Sequence, residues 1–212
     1  SDLQVMTISV SDINTRGFDV AYETLSGDAL VVYCDAAAVT APDPSYYVWN
    51  GVSWTSGGTI NIAETTDCEW IELASDPTSN EIIMMVRGED GNPYEAQVWN
   101  ATTSTWGNAT TLGRITETAF EGMAVQYEES TGEAVVVASD GNPARFEWNT
   151  WNGTTWGTSA TQGLGNDFEW GTLVRDDGTD DMALCAVDDT SDIAVVRWNG
   201  TANTWALDDN RE

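Results

Sequence analysis

The chain contains no histidine and no lysine; its 7 cationic side chains are all arginine, set against 35 Asp and Glu, for a formal charge of −28 over 212 residues. The missing imidazole and primary amine exclude the commonest general base, imidazole metal ligands, Schiff-base chemistry and the phosphate-loop lysine. A basic footprint that could displace counterions from phosphates is absent, which excludes nucleic acid as a partner, and an anionic membrane surface is disfavoured for the same reason. No apolar run approaches the ~18 residues of a membrane-inserted helix; the longest are short strand-like blocks such as 29–34. Cysteine is scarce. Cys34, Cys68 and Cys185 are too few and too irregular for a disulfide framework or a zinc site, and an odd count leaves at least one thiol unpaired unless another chain supplies a partner. The chain begins Ser1-Asp2-Leu3 and is expected to be a processed form or a fragment. Excess acid without lysine suits a halophilic or marine extracellular protein, and equally a merely acidic surface.

What is present is apolar and aromatic. Hydrophobic residues make up 41% of the chain and there are 11 Trp, enough for a packed core and inconsistent with the disorder that net charge alone would suggest. The sequence repeats. Gly17-Phe18-Asp19-Val20-Ala21-Tyr22-Glu23 matches Gly122-Met123-Ala124-Val125-Gln126-Tyr127-Glu128, and each is followed by a Gly-acid turn and an apolar block. Weaker copies start at Trp70 and Trp170. Every copy later carries Trp-Asn, at 49–50, 99–100, 151–152 and 198–199, then a second Trp at Trp54, Trp106, Trp156 and Trp205.

Each copy reads as four short strands: one alternating (Phe18, Val20 and Tyr22 on one face), one near-continuous aliphatic block buried on both faces, one leading into Trp-Asn, and one leaving the second Trp. The links are rich in Asp-Gly and Asn-Gly, the residues that tight hairpins require. No stretch carries a helical period. A four-stranded antiparallel meander recurring every ~50 residues predicts an all-β protein, a β-propeller of four blades in a single domain. The repeats run about 17–67, 68–119, 120–167 and 168–212, and residues 1–16 form a tail strand that completes the last blade, in the same chain or in a neighbouring subunit. Four repeats favour a closed ring; a segment of a larger propeller is the alternative.

The hairpins Gly51-Val52-Ser53-Trp54 and Gly153-Thr154-Thr155-Trp156 resemble the Gly-x-Thr-Trp end of the Asp-box of sialidase-like propellers, although Trp151 stands where the box has its Asp in the third copy. The whole pattern is similar to the Trp-Asn-Gly-x-x-Trp repeats of bacterial and archaeal extracellular propellers. That resemblance implies a propeller fold and an extracellular or cell-surface location; it transfers no catalytic motif.

Meander geometry puts Arg16, Glu69, Glu121 and Glu169 one per blade at the start of the innermost strands. Glu69, Glu121 and Glu169 are therefore candidate ligands for an axial hard cation such as Ca²⁺, with Arg16 as counter-charge; solvated or Arg-paired carboxylates are the structural alternative. Asp90 and Asp140, in Asp-Gly-Asn-Pro segments at the same end, are candidate binding residues whose composition is first of all that of turns. The repeated Trp pairs are expected to pack blades together, whereas Trp70, Trp170 and the unrepeated Trp148 are candidates for stacking on a ligand. Glycosylation sequons occur at Asn100, Asn108, Asn152 and Asn199. Two functional classes follow. One is a non-catalytic structural or adhesive module that binds other protein subunits or surface glycans, self-assembling as a homo-oligomer, filament or matrix. The other is a glycan-active protein, either a lectin or a hydrolase using paired carboxylates from Glu69, Glu121 and Glu169.

Overall fold

The computed structural model describes residues 14–35, 43–63, 68–88, 93–114, 120–142 and 145–207. Blade 1 consists of β1 (Phe18–Tyr22), β2 (Ala29–Tyr33), β3 (Ser45–Trp49) and β4 (Trp54–Thr59). Blade 2 consists of β5 (Cys68–Ser75), β6 (Ile82–Gly88), β7 (Pro93–Asn100) and β8 (Thr105–Arg114). Blade 3 is β9 (Met123–Tyr127), β10 (Ala134–Ser139), β11 (Arg145–Trp151) and β12 (Ala160–Gly163); blade 4 is β13 (Phe168–Arg175), β14 (Met182–Asp188), β15 (Ile193–Asn199) and β16 (Thr204–Leu207). Each set forms its own antiparallel sheet in sequence order, so the four repeats are four meanders, and the β-propeller architecture expected from the sequence is the one observed. The fourth strand of blade 4 is short: β16 pairs only with Val196, Arg197, Trp198 and Asn199 of β15. The expected pairing of the tail strand with that blade lies outside the described residues.

The turns follow from their residues. All four β1–β2-type hairpins close with the same backbone bond, Glu23 N to Asp28 O, Asp76 N to Glu81 O, Glu128 N to Glu133 O and Asp176 N to Asp181 O, at 2.7–3.0 Å. This equivalence fixes the alignment of the blades residue by residue. In the Trp-Asn turns, the Asn side-chain oxygen accepts backbone N–H bonds two and three residues on, as at Asn50, Asn100 and Asn152, and Asn199 likewise accepts from Ala202 N. The recurrence of Trp-Asn is thus explained by an Asx turn that a Gln or Ala would not make. The sequon Asn at 100, 152 and 199 carries this turn; Asn108 is exposed in β8 with φ 50°.

Packing occurs between blades. Ala21, Leu30 and Val32 of blade 1 meet Ile71, Met84 and Val86 of blade 2; Ile83, Met85 and Ala96 meet Val125, Val136 and Trp151; Val135, Val137 and Phe146 meet Leu184, Val196 and Trp198. Each joint carries the same polar bond. Trp99 Nε1 donates to Glu23 at 2.7 Å, Trp151 Nε1 to Glu81 at 2.5 Å, and Trp198 Nε1 to Glu128 at 2.9 Å, in every case from one blade to the blade before it. These three indoles are at most 1% exposed, and a buried N–H without an acceptor costs about 1–3 kcal/mol. The second Trp of each blade stacks obliquely on the first, with centroids 5.2–5.5 Å apart in all four.

Two findings depart from the sequence expectation. Cys34 and Cys68 form a disulfide, Cα–Cα 5.3 Å, that ties the end of β2 to the start of β5, while Cys185 is free and exposed. In the chain-entropy picture a loop of this length contributes about 4 kcal/mol. Two apolar faces are also left bare among the described residues. Phe18, Val20 and Tyr22, the expected apolar face of the first strand, are 54–60% exposed, and Val174, Ile193 and Val195 on the far face of blade 4 are 45–65% exposed. Among the described residues, blades 1 and 4 therefore do not cover each other's apolar faces; the tail strand through which closure was expected lies outside them.

Replacing Trp198 by Phe is expected to lower the unfolding free energy by about 1–3 kcal/mol, because Glu128 is left buried without its donor. Trp49→Phe, at a half-buried indole with no carboxylate acceptor among the described residues, should cost under about 0.5 kcal/mol in dilute solution. Urea titration of the two variants checks the contrast; equal losses would contradict it.

Candidate functional site

The innermost strands β1, β5, β9 and β13 surround the axis, and β9 touches both β5 and β13. Arg16, just before β1, reaches across to blade 3: its Nη2 donates to Glu121 Oε1, with the Asp19 carboxylate 3.8 Å from Nη1. Asp19 also accepts the backbone N–H of Leu73 at 2.8 Å. Glu72 projects toward the same charges from β5 and lines an open cleft of about 590 Å³ whose other walls include Gln126, Thr172 and Arg175. One guanidinium thus faces three carboxyls. Burial first, and then repulsion from Glu121, push the Glu72 carboxyl up to about 8, against the pull of Arg16; burial also raises Glu121, opposed by its bond to Arg16. Glu72 Oε2 is buried with no hydrogen-bond partner, as a carboxyl that keeps its proton can be more cheaply than an anion.

The sequence placed Glu69, Glu121 and Glu169 together with Arg16 at this axis. Of these, Glu121 is bonded to Arg16. Glu69 and Glu169 fall where the register shifts, between Cys68 and Trp70 in β5 and between Phe168 and Trp170 in β13. Such a β-bulge interrupts the strict alternation on which the expectation rested, and Glu69 Oε2 is buried there. Among the described residues there is no group of three or more Asp, Glu, Cys or His side chains placed to hold a metal ion. Glu72, three residues further on, faces Arg16, Glu121 and Asp19, which a repeat alignment without bulges does not reveal.

The aromatic candidates separate. Trp70 is 3% exposed and Trp170 is 37% exposed; the two rings meet edge to face at 5.2 Å, and Phe120 packs on Trp170 at 6.1 Å. Trp70 is therefore core, and only Trp170 offers free surface. Trp148 packs edge to face on Trp198 at 5.2 Å across the joint between blades 3 and 4, so it too serves packing. Asp140 caps its own turn by accepting Asn142 N at 2.9 Å and is bonded to Arg145 Nε at 2.5 Å. Asp140 and Arg145 line a second open cleft, about 400 Å³, with Glu147 and Gly113. Asp90 lies outside the described residues. Sequence reading also missed Arg87, fully buried, which donates from Nη1 to the Phe120 carbonyl and lies 6.0 Å from the Tyr94 ring centroid. Its signal, a lone Arg inside an otherwise aliphatic strand, is visible only in hindsight.

No protein-family model matches the chain, and no curated protein matches it. Solved structures do. The SapL1 lectin, in complex with α-methyl fucoside, aligns over 92% of this chain and 65% of its own, with TM-score 0.59 and 15% identity. A polysaccharide lyase, an ulvan lyase bound to its oligosaccharide, aligns over 94% and 58%, with TM-score 0.56 and 13% identity. An exo-β-1,3-galactanase from Phanerochaete chrysosporium aligns over 92% and 49%, with TM-score 0.54 and 13% identity. The chain thus spans about half to two thirds of the length of these proteins. At such identities the likeness is one of fold: the chain is a β-propeller.

The Glu72 carboxyl keeps its proton in the folded state at a pH where the unfolded chain has lost it. Its contribution to stability is complete below its ordinary value of 4.5 and is lost as pH rises toward about 8. Glu72→Gln should therefore match wild type in melting temperature near pH 4 and exceed it increasingly up to about pH 9. A difference that is flat with pH contradicts this assignment.

Proposed function

We propose that this chain is a non-catalytic propeller module with a structural or adhesive role outside the cell or at its surface, working against other protein subunits or surface glycans. One observation carries the reading: a chain of charge −28 nevertheless leaves apolar sheet faces open at both ends of its blade array, as a part made to be joined does. The axis supports it. A glycosidase needs two carboxyls spaced across the scissile bond and in different environments; here Glu121 is held by Arg16, and Glu69 and Glu169 sit on bulges. The disulfide suits an oxidising compartment, in keeping with the similarity of the repeats to extracellular propellers.

A second reading, glycan binding, is favoured by the half-open Trp170 and by the sugar-bound lectin and lyase among the structural neighbours. Two assays separate the readings. Incubation with a panel of oligosaccharides should release no sugar from wild type; release that Glu121→Gln abolishes would overturn the non-catalytic proposal. On a glycan array, retention lost in Trp170→Ala would establish the second reading, and its absence leaves the structural role.

A further inference from the structure

We infer that the chain joins head to tail with a second copy of itself, the open face of blade 1 in one copy seating on the open face of blade 4 in the next. The inference rests on the structural reading above and names the surfaces that perform it.

The three internal joints all pair the same two kinds of face. One is the face that carries the first Trp of the Trp-Asn turn, on the later blade: Trp99, Trp151 and Trp198 share it with Ile82, Ala134 and Met182, their register partners. The other is the opposite face of the earlier blade. By the same register, blade 1 presents a fourth surface of the first kind, with Trp49 beside Ala29 and Tyr22. Blade 4 presents a fourth of the second kind, where Val195 pairs with Cys185 and Thr172. These two faces, of complementary kind, are carried by one chain and leave Phe18, Val20 and Tyr22 on one and Val174, Ile193 and Val195 on the other exposed.

The polar bond at the joints gives a second, independent mark. Its acceptors occupy two equivalent positions of the first hairpin: Glu23 and Glu128 at one, Glu81 at the other. The hairpin bonds identify the blade 4 counterparts as Asp176 and Asp181, and neither receives an indole among the described residues. Trp49 is the one indole of its series without an acceptor among the described residues. An acceptor shortened by one methylene requires a closer approach of the incoming blade, which the small Ala183 on that face of blade 4 permits. Charge does not oppose the contact locally, since the row Thr172, Cys185 and Val195 at its centre is uncharged and Arg197 lies on the same face of β15 as Val195. The two surfaces differ, so the contact is heterologous and propagates into a ring or a filament.

Sedimentation velocity of the full chain over a concentration series, with about 0.5 M salt to screen the net charge, tests the pairing. Wild type should show a mass that rises with concentration. Val20→Asp and Val195→Asp, at exposed positions confirmed folded by their melting curves, should each sediment as one copy. An equimolar mixture of the two should form a species of two copies and none larger, because each supplies the face the other lacks. Trp49→Phe should weaken wild-type association about tenfold or more, the loss of one charge-assisted bond. A wild type that remains one copy at every concentration, or a mixture that stays as single copies, overturns the inference. Association that persists in both single variants overturns it too, yet leaves the non-catalytic module standing; that reading falls only to sugar cleavage.

Discussion

A four-stranded meander with aliphatic side chains on both faces is not stable alone, because whichever face is left bare returns the cost of hydrating it. The blades of this protein depend on their joints for that reason, and each joint is the same device: interdigitating Val, Ile, Met and Ala from two sheets, locked at the rim by an indole N–H on a carboxylate of the preceding blade. Apolar burial supplies most of the stabilisation, but it has no direction. The Trp-to-carboxylate bond has direction and sets the register in which one blade seats on the next. At the first joint the Cys34–Cys68 disulfide adds a covalent constraint, so blade 1, whose other face is open, is held where a single packed face is weakest.

The axis is governed by a shortage of cations. With 7 arginines against 35 acids, a carboxylate drawn inward has few partners, and the structure meets this in two ways: Arg16 spans from blade 1 to Glu121 of blade 3, and Glu72 retains its proton. Other acids in turns, such as Asp76 and Asp188, are buried and are satisfied by Thr and Ser hydroxyls and backbone N–H groups.

Most of the fold was legible because repetition converts weak local signals into a strong one. The Trp-Asn pairs, the Gly-acid turns and the aliphatic second strands located all four blades to within a few residues, and the function of the Asn as a turn cap explains why that signal recurs. The axial site was legible only in part. Arg16 and Glu121 were recognised, but a one-residue bulge is invisible to an alignment that assumes strict alternation, so the register shifts at Glu69 and Glu169 were not foreseen and Glu72 was passed over. The disulfide was missed for a different reason. Cys34 and Cys68 lie in different repeats at non-equivalent positions, and only the seating of blade 1 on blade 2 brings their Cα atoms to 5.3 Å. The acceptors of the indole bonds, shared between two hairpin positions, likewise become visible only once the blades are placed side by side.

The claim that everything else depends on is that stability resides in the joints between blades and not within single sheets. Native-state hydrogen exchange measures this directly. The second strands of blades 2 and 3, β6 and β10, are covered on both faces and should exchange slowest, together, at the free energy of global unfolding. The strands β1 and β15, each with one bare face, should exchange through smaller openings in dilute solution. Uniform protection across all four blades, or protection that is highest in β1, would contradict the account.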